Sequence, residues 1–431
     1  MSALTRGVGV FLAVLAWGNL QVAKAQAPAT AANLALNEVV DLALRDNPQL
    51  QGLRSRWGAM QERPAQAGAL PNPMFTYSGM DRVSGGTWPD TEEKRFMLQQ
   101  EFLWFGKRGL RGSIAAKDAE TMRREVDALT LDVIMQVKES YYDLYAVQRA
   151  TAITREEQEV LGRMVKIAET LYATGERSQA DVLKAQTEIT LLKQKLLELQ
   201  AQEAALKAKL NTLLNRRADA PLGVAATPPQ TGFSGNFEQL LALAVTNRPE
   251  IRSAQTQIER YELDKQLMAK EYWPDYKLGV EYRDFTDSDN MLMFTVSVEL
   301  PIWQSKYRAG AREAAKMAAS SRAARETVER QTALDVQDTH VKFLTARKTL
   351  ALYRTELIPQ AETSFNASEA GYRTGKASFL DLLESERFLL NARVMAAMTE
   401  GALGMQAARL ERAVGNALPP KPMTELLKVD P

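Results

Sequence analysis

Tyr172-Ala173-Thr174-Gly175-Glu176-Arg177-Ser178-Gln179-Ala180-Asp181-Val182-Leu183 returns, at one common offset, as Tyr372-Arg373-Thr374-Gly375-Lys376-Ala377-Ser378-Phe379-Leu380-Asp381-Leu382-Leu383. Tyr, Thr, Gly, Ser, Asp and the final Leu keep their places in both. Self-similarity at so long an offset means that the chain carries two copies of one large structural unit, with the turn among its best-preserved parts. Any function must make use of a duplicated turn between long helices.

The flanks of the turn read as helix. From Lys107 to Tyr172 there is no proline, and Val126, Leu129, Val133, Val137, Tyr141 and Leu144 recur at helical spacing. Such a helix is about 100 Å long at about 1.5 Å per residue. Beyond the turn, Val182, Ile189, Leu192, Leu196, Leu199, Leu206, Leu210 and Leu213 keep a heptad-like frame that Glu203 interrupts. The two form an antiparallel hairpin. The return, Ser178 to Asn215, and an opening helix, Leu36 to Pro64, together match the long helix in length. Copy two repeats the plan, with Tyr307 to Tyr372 as the long helix and Ser378 to Gly415 as the return. Its Ala309–Arg325 stretch is rich in Ala and Ser, which lets neighbouring helices approach closely.

Working outward, the copies span 36–214 and 237–418, joined by a Pro-, Gly- and Ala-rich linker at 215–236 and followed by a tail at 419–431. Asp46-Asn47-Pro48 answers Thr246-Asn247-Arg248-Pro249, and Pro73 answers Pro274. After that proline the period changes to two: Tyr276, Leu278, Val280 and Tyr282 alternate with polar residues. Leu292, Phe294, Val296, Val298 and Leu300 do the same against Met293, Thr295, Ser297 and Glu299. Runs of about nine to ten residues suit tilted strands that cross a bilayer. Phe75–Asp81 and Phe96–Trp104 hold the equivalent places in copy one, which makes four strands per chain. Val83–Arg95 and Asp284–Asn290 are polar and read as aqueous loops; Trp104, Phe105, Trp273 and Trp303 cluster at the opposite strand ends, as an interfacial aromatic girdle does. Buried Trp in a soluble α/β core is the competing reading.

Composition narrows the classes. Residues 1–25 read as a secretory signal, with Arg6 as its charge, Gly7–Trp17 as its apolar stretch and Ala23-Lys24-Ala25 as its cleavage site. With 0 Cys, the sequence predicts no disulfide, thiolate metal site or lipid-bearing cysteine. A net charge of +1 carries no footprint for nucleic acid. No later segment has the apolar run of a membrane helix, which leaves a β-barrel as the route across a membrane. Four strands cannot close a barrel, and open edges in lipid leave backbone groups unsatisfied. The chain must oligomerise: two copies supply about eight strands and a filled interior, three supply about twelve and an open lumen.

These features together resemble the outer-membrane efflux proteins of the TolC type over nearly all of the mature chain. The carriers are the two-copy plan, the repeated turn, and the strand-to-helix segments Gln100–Arg108 and Val298–Trp303. The resemblance implies a mainly α fold with a membrane β-barrel: a homotrimer whose strands form an outer-membrane barrel in lipid and whose hairpins form a periplasmic helical tunnel. It also implies a periplasmic adaptor and an inner-membrane pump of the resistance-nodulation-division type as partners, with no enzyme activity and no cofactor. Trp104-Phe105-Gly106-Lys107-Arg108 and Ala69-Leu70-Pro71-Asn72-Pro73 look most like the heavy-metal members, the CusC and CzcC group. Many of those are lipoproteins, and the absence of cysteine departs from that pattern. Ducts for drugs or for type I protein secretion are alternatives within the fold; an exported coiled-coil scaffold is the alternative outside it.

The turns carry the candidate site. Ser178-x-x-Asp181 and Ser378-x-x-Asp381 have capping-box spacing, and Gly175 and Gly375 suit left-handed helix ends. Capping explains those residues but neither Tyr372 nor the second carboxylate Glu384, one turn beyond Asp381. By the resemblance, the turns, with Thr174 and Thr374, lie at the tunnel's periplasmic tip and meet the adaptor. Three copies of Asp381 and Glu384 would ring the entrance with carboxylates and favour cations. Lys184 replaces Glu384 in copy one, so copy two's helices are expected to line the constriction. Asp181 and Tyr372 match the family's gate links, with Lys376 and Arg373 as the nearest basic groups to the expected partner position at Ala377. No catalytic or metal-ligand cluster is visible. His340 reads as a packing residue, and Met293, on the polar strand face, as a residue of barrel packing or a soft contact.

Overall fold

The structure, a computed structural model, describes residues 33–80, 93–228, 235–286 and 288–416. The signal segment, the C-terminal tail and most of the Val83–Arg95 loop lie outside the described residues. The opening helix is not one rod but three pieces: α1 (Leu36–Asp46), α2 (Pro48–Gln61) and α3 (Arg63–Ala67). Pro48 forces the residue before it out of the helical region, and Asn47 turns extended while its side chain accepts from the Leu50 N–H at 3.1 Å.

Four antiparallel strands follow the order β1 (Met74–Met80), β2 (Glu93–Phe102), β3 (Tyr276–Phe285) and β4 (Met291–Val298). β2 and β3 reach further toward the loops than their alternation suggests, because Glu93–Arg95 pair in register with Arg283–Phe285. Register aligns Phe75 with Leu98, Leu98 with Val280 and Val280 with Phe294, so the middle rows of one face are apolar across the sheet. That face is bare: Phe294 is 73% and Val296 69% exposed. Across the sheet, Thr76, Met97, Glu281 and Met293 form one row of the other face, where Arg283 pairs with Glu281 at 2.5 Å and with Glu93 at 3.6 Å. A sheet with its apolar side out and its ion pairs in is the inverse of a water-soluble one. Both outer strands, β1 and β4, have an unpaired edge within the chain.

α4 (Lys107–Ala173) is the long helix of copy one, and α5 (Gln179–Leu213) returns along its lower half. In copy two, α6 (Phe237–Asn247) and α7 (Pro249–Lys270) precede the sheet, and α10 (Phe379–Val414) is the return. The second long helix is interrupted: α8 (Gln304–Leu352) passes through a π-turn, Tyr353–Leu357, into α9 (Ile358–Arg373). Pro359 lacks an N–H and its ring would strike the preceding turn; the wider π-turn just before it absorbs both.

Within the chain the helices lie in one layer. Below, the order is α5, α4, α10, α8/α9; above, α2 and α3 flank α4, with α7 and then α8 beyond. The copies interlock through α4, where α10 crosses so closely that a Cβ on Gly404 would sit 2.2 Å from the Tyr142 ring and one on Gly401 2.6 Å from the Ala146 Cβ. Ion pairs flank that seam, among them Lys138–Glu411 and Arg412–Asp132, each at 2.5 Å. Separate apolar cores form at mid-length, around Val137, Tyr141 and Leu210 and around Val336, Phe343 and Leu410, and at the tip, around Leu161, Tyr372 and Leu382. His340 is buried in α8 near the second of these.

Candidate functional site

At the end of the helices far from the sheet, the two turns are built alike. Gly175 and Gly375 both adopt φ 77° and receive the same pattern of contacts: Gly175 N–H to the Tyr172 carbonyl at 3.0 Å, Gly375 N–H to the Tyr372 carbonyl at 3.2 Å. The Thr174 and Thr374 hydroxyls each turn back onto carbonyls of the preceding turn, at 3.1–3.3 Å and 3.0–3.3 Å. These threonines finish a helix rather than present a free donor.

Past the glycines the copies diverge. Ser378 and Asp381 complete a capping box: the Asp381 N–H donates to Ser378 Oγ at 3.1 Å, while Asp381 Oδ2 accepts from the Ser378 N–H at 3.0 Å and from its hydroxyl at 2.7 Å. Those donors, the hydroxyl first, hold the Asp381 carboxyl below the usual carboxylate range. Ser178 makes no such cap, and the expected box in copy one does not form. Asp181 instead reaches copy two, where the Tyr372 hydroxyl donates to its Oδ2 at 3.5 Å.

The basic group of this cluster is Arg177, not Lys376 or Arg373. Its guanidinium lies 4.8 Å from the Tyr372 ring centroid and donates to the carbonyls of Tyr372 at 3.1 Å and Ala377 at 3.2 Å. Arg373 pairs along its own helix with Glu369 at 2.7 Å. A cation among the open carbonyls at the end of α9 also meets the negative end of that helix. Tyr372 is therefore enclosed, 1% exposed against Phe379 with ring centroids 5.2 Å apart, whereas Tyr172 is 48% exposed. Burial, and then the Asp181 charge, raise the Tyr372 hydroxyl above its ordinary value and keep it a donor. The signal for Arg177 in the sequence was its replacement by Ala377, one of several differences between the two turns.

Asp381 and Glu384 are both exposed and share a side of α10 with Phe388, itself 51% exposed; Lys184 is exposed on α5. At the other end of the helices Trp104 stacks on Trp273, centroids 5.1 Å apart and 7° between planes. The Lys107 ammonium, buried beneath, donates to the Trp273 carbonyl at 2.9 Å and pairs with Asp275 at 3.0 Å and Glu271 at 3.3 Å. Phe105, Trp273 and Trp303 are more than half exposed, which suits a girdle and not a soluble core. Among the described residues, no group of three or more His, Cys, Asp or Glu side chains is placed to hold a metal ion, and no helix is long and apolar enough to cross a membrane.

The sequence model of the family described as "Outer membrane efflux protein" matches residues 39–216 and 240–416. The cobalt-zinc-cadmium resistance protein CzcC of Cupriavidus metallidurans is 23% identical, over 89% of this chain and 90% of its own. The pyoverdine export outer membrane protein OpmQ of Pseudomonas aeruginosa is also 23% identical, over 79% of this chain and 72% of its own. The solved structure of CusC, described as undergoing transmembrane channel formation, superposes with a TM-score of 0.76 at 16% identity, covering 90% of this chain and 93% of that one.

Proposed function

The chain belongs to the outer membrane efflux protein family, and from that premise we propose that three copies assemble into the exit duct of a tripartite heavy-metal efflux system. It is a passive outer-membrane channel with its helical tunnel in the periplasm. The observation that carries the assembly is the pair of open edges. β1 and β4 each leave one edge unpaired in a sheet whose apolar face is bare, and the helical layer ends in α5 on one side and α8/α9 on the other. Leu191 and Leu197 on α5, and Leu334 and Val341 on α8, are 48–66% exposed at those margins. Rotational copies cover both edges at once, and about twelve strands leave the lumen open for a polar inner face.

The same plan assigns the turns. Asp381 and Glu384 from each copy face the narrowed entrance, and Asp181, Tyr372 and Arg177 hold α9 to copy one's turn when it is closed. Copy one's turn, with Tyr172 and Leu183 exposed, is the contact for a periplasmic adaptor. An inner-membrane pump of the resistance-nodulation-division type selects and drives the cargo. Heavy-metal cations as cargo are supported by the relation to CzcC over most of both chains. Export of an organic solute is the second reading, favoured by the relation to OpmQ.

Mass measurement of the detergent-solubilised protein tests the assembly, and a stable monomer or dimer overturns it. A deletion strain tests the cargo. Greater sensitivity to cobalt, zinc, cadmium, copper or silver ions than to hydrophobic antibiotics is expected, and unchanged metal tolerance with lost drug tolerance reverses the assignment.

A further inference from the structure

Inside the tip region, one acidic side chain has no counter-charge of its own. Glu386 on α10 is 1% exposed, and neither of its carboxyl oxygens meets a hydrogen-bond donor. Across the seam it faces a second buried carboxyl, Glu157 on α4, and Glu188 on α5 adds a third charge nearby. The cation that acts on this group, Arg387, is already committed. Its Nε donates to Glu188 Oε1 at 2.9 Å, and its Nη2 donates to the other Glu188 oxygen. In the adjoining groove, Arg393 is likewise taken, by Glu362 of α9 at 2.7 Å, while Arg163 and Lys166 lie further along α4 on that groove's wall. The rest of the wrapping is apolar, with Leu382, Leu383 and Leu389 on α10 and Leu161 and Met164 on α4.

Two carboxylates that face each other in an apolar setting cannot both stay ionised at modest cost, and an unpaired buried charge is dearer than a retained proton. One proton turns the contact from repulsion into a charge-assisted O–H···O hydrogen bond. We propose that Glu386 and Glu157 share a single proton across the α10–α4 seam and act as an acid-stabilised clasp on the helix that carries Asp381 and Glu384. The pair lies about two helical turns beyond the start of α10, close enough for its state to set how firmly that helix end is held.

Burial, then Glu157 and Glu188, push the Glu386 carboxyl up to about 9 from 4.5, against a smaller opposing effect of Arg387. The packed seam thus binds a proton that a detached, hydrated α10 would release. Its stabilisation is fully present below the ordinary carboxyl range and is lost as pH rises toward about 9. An alkaline periplasmic face loosens the tip; an acidic one holds it.

Infrared spectroscopy of the full-length protein in detergent tests the shared proton directly. A protonated-carboxyl C=O stretch is expected at neutral pH, fading in the alkaline range and absent from Glu386→Gln. The absence of that band in the parent protein, or its survival in the variant, overturns the proposal. In planar bilayers the parent's conductance is expected to rise several-fold as the periplasmic side is made alkaline. Glu386→Gln stays neutral and can still donate to Glu157, so it is expected to give a flat profile; Glu157→Gln, which removes the facing charge, is expected to move the midpoint to lower pH. A parent indifferent to alkali, or an unchanged alkaline rise in Glu386→Gln, overturns the clasp. The infrared measurement needs no conduction, so its failure is distinguishable from failure of the channel reading on which the conductance arm rests.

Discussion

The guanidinium of Arg177 packs 4.8 Å from the centroid of the Tyr372 ring and donates to the Tyr372 carbonyl at 3.1 Å, so copy one supplies the cation that closes a copy-two helix. Among the described residues, copy two places no such cation on the Tyr172 ring. Copy two has Ala377 at the equivalent position, and Asp381 folds back onto Ser378 instead of reaching across. The link therefore has a direction, and α9 is the element it restrains.

Arg177→Ala removes a cation–π contact worth about 0.5–1 kcal/mol and two hydrogen bonds to carbonyls at a helix end. A tip loosened by about 1–2 kcal/mol is expected, read as higher single-channel conductance. Arg373→Ala, whose guanidinium serves Glu369 on its own helix, is the control and should leave conductance at the parent value.

Tyr372→Phe keeps the ring against Phe379 and deletes only the 3.5 Å contact to Asp181. Thermal unfolding in detergent should shift by less than about 1 kcal/mol equivalent, whereas Tyr372→Ala empties a fully buried site at about 3–5 kcal/mol. If both variants melt alike, the ring is not the packing element of the tip.

Asp381→Asn with Glu384→Gln removes the proposed entrance carboxylates and leaves Ser378 as the N-cap, with an Asn side-chain oxygen able to accept from the Ser378 N–H. Weaker cation selectivity and weaker block by multivalent cations are expected, with the assembly intact. Because the Ser378 donors lower the Asp381 pKa, its contribution to the cap is present above the ordinary carboxylate range and is lost only as pH falls through the lowered value. Selectivity due to Asp381 should therefore be constant from neutral down to mildly acidic pH. Unchanged selectivity and block in the double variant would reduce both residues to a cap and a surface charge.

Gly404→Ala places a methyl where the Tyr142 ring stands, 2.2 Å away. Overpacking of this kind costs about 1–3 kcal/mol, and a matching loss of thermal stability is expected. Gly162→Ala is the contrast, since nothing lies within 4 Å of its added carbon. Relief of helical glycine should make that variant neutral or more stable by up to about 1 kcal/mol.

Much of this protein was legible before any coordinate because its signals are local. Period two marked the two strands of copy two and their apolar face, the repeat placed the equivalent pair in copy one, helical spacing marked the seam-facing residues of α4 and α5, and a repeated turn revealed the duplication. The π-turn before Pro359 was hidden by the same logic, since the apolar spacing runs on through it. So was the split of the opening helix at Asn47, even with Pro48 in view.

What sequence alone determined was therefore the run of helices and strands, though not every break within them, and the existence of two like turns, because those follow from side-chain periodicity and backbone restrictions within a few residues. Only the tertiary structure decided what each copy of a shared residue does. Asp381 caps its own helix while Asp181 reaches Tyr372, and Glu386 meets Glu157. Those outcomes depend on how α10 settles across α4, a register fixed by the close approach at Gly401 and Gly404 and by ion pairs between residues far apart in the chain. No local pattern encodes that crossing; it is a sum of long-range contacts, and it turns identical residues to different partners.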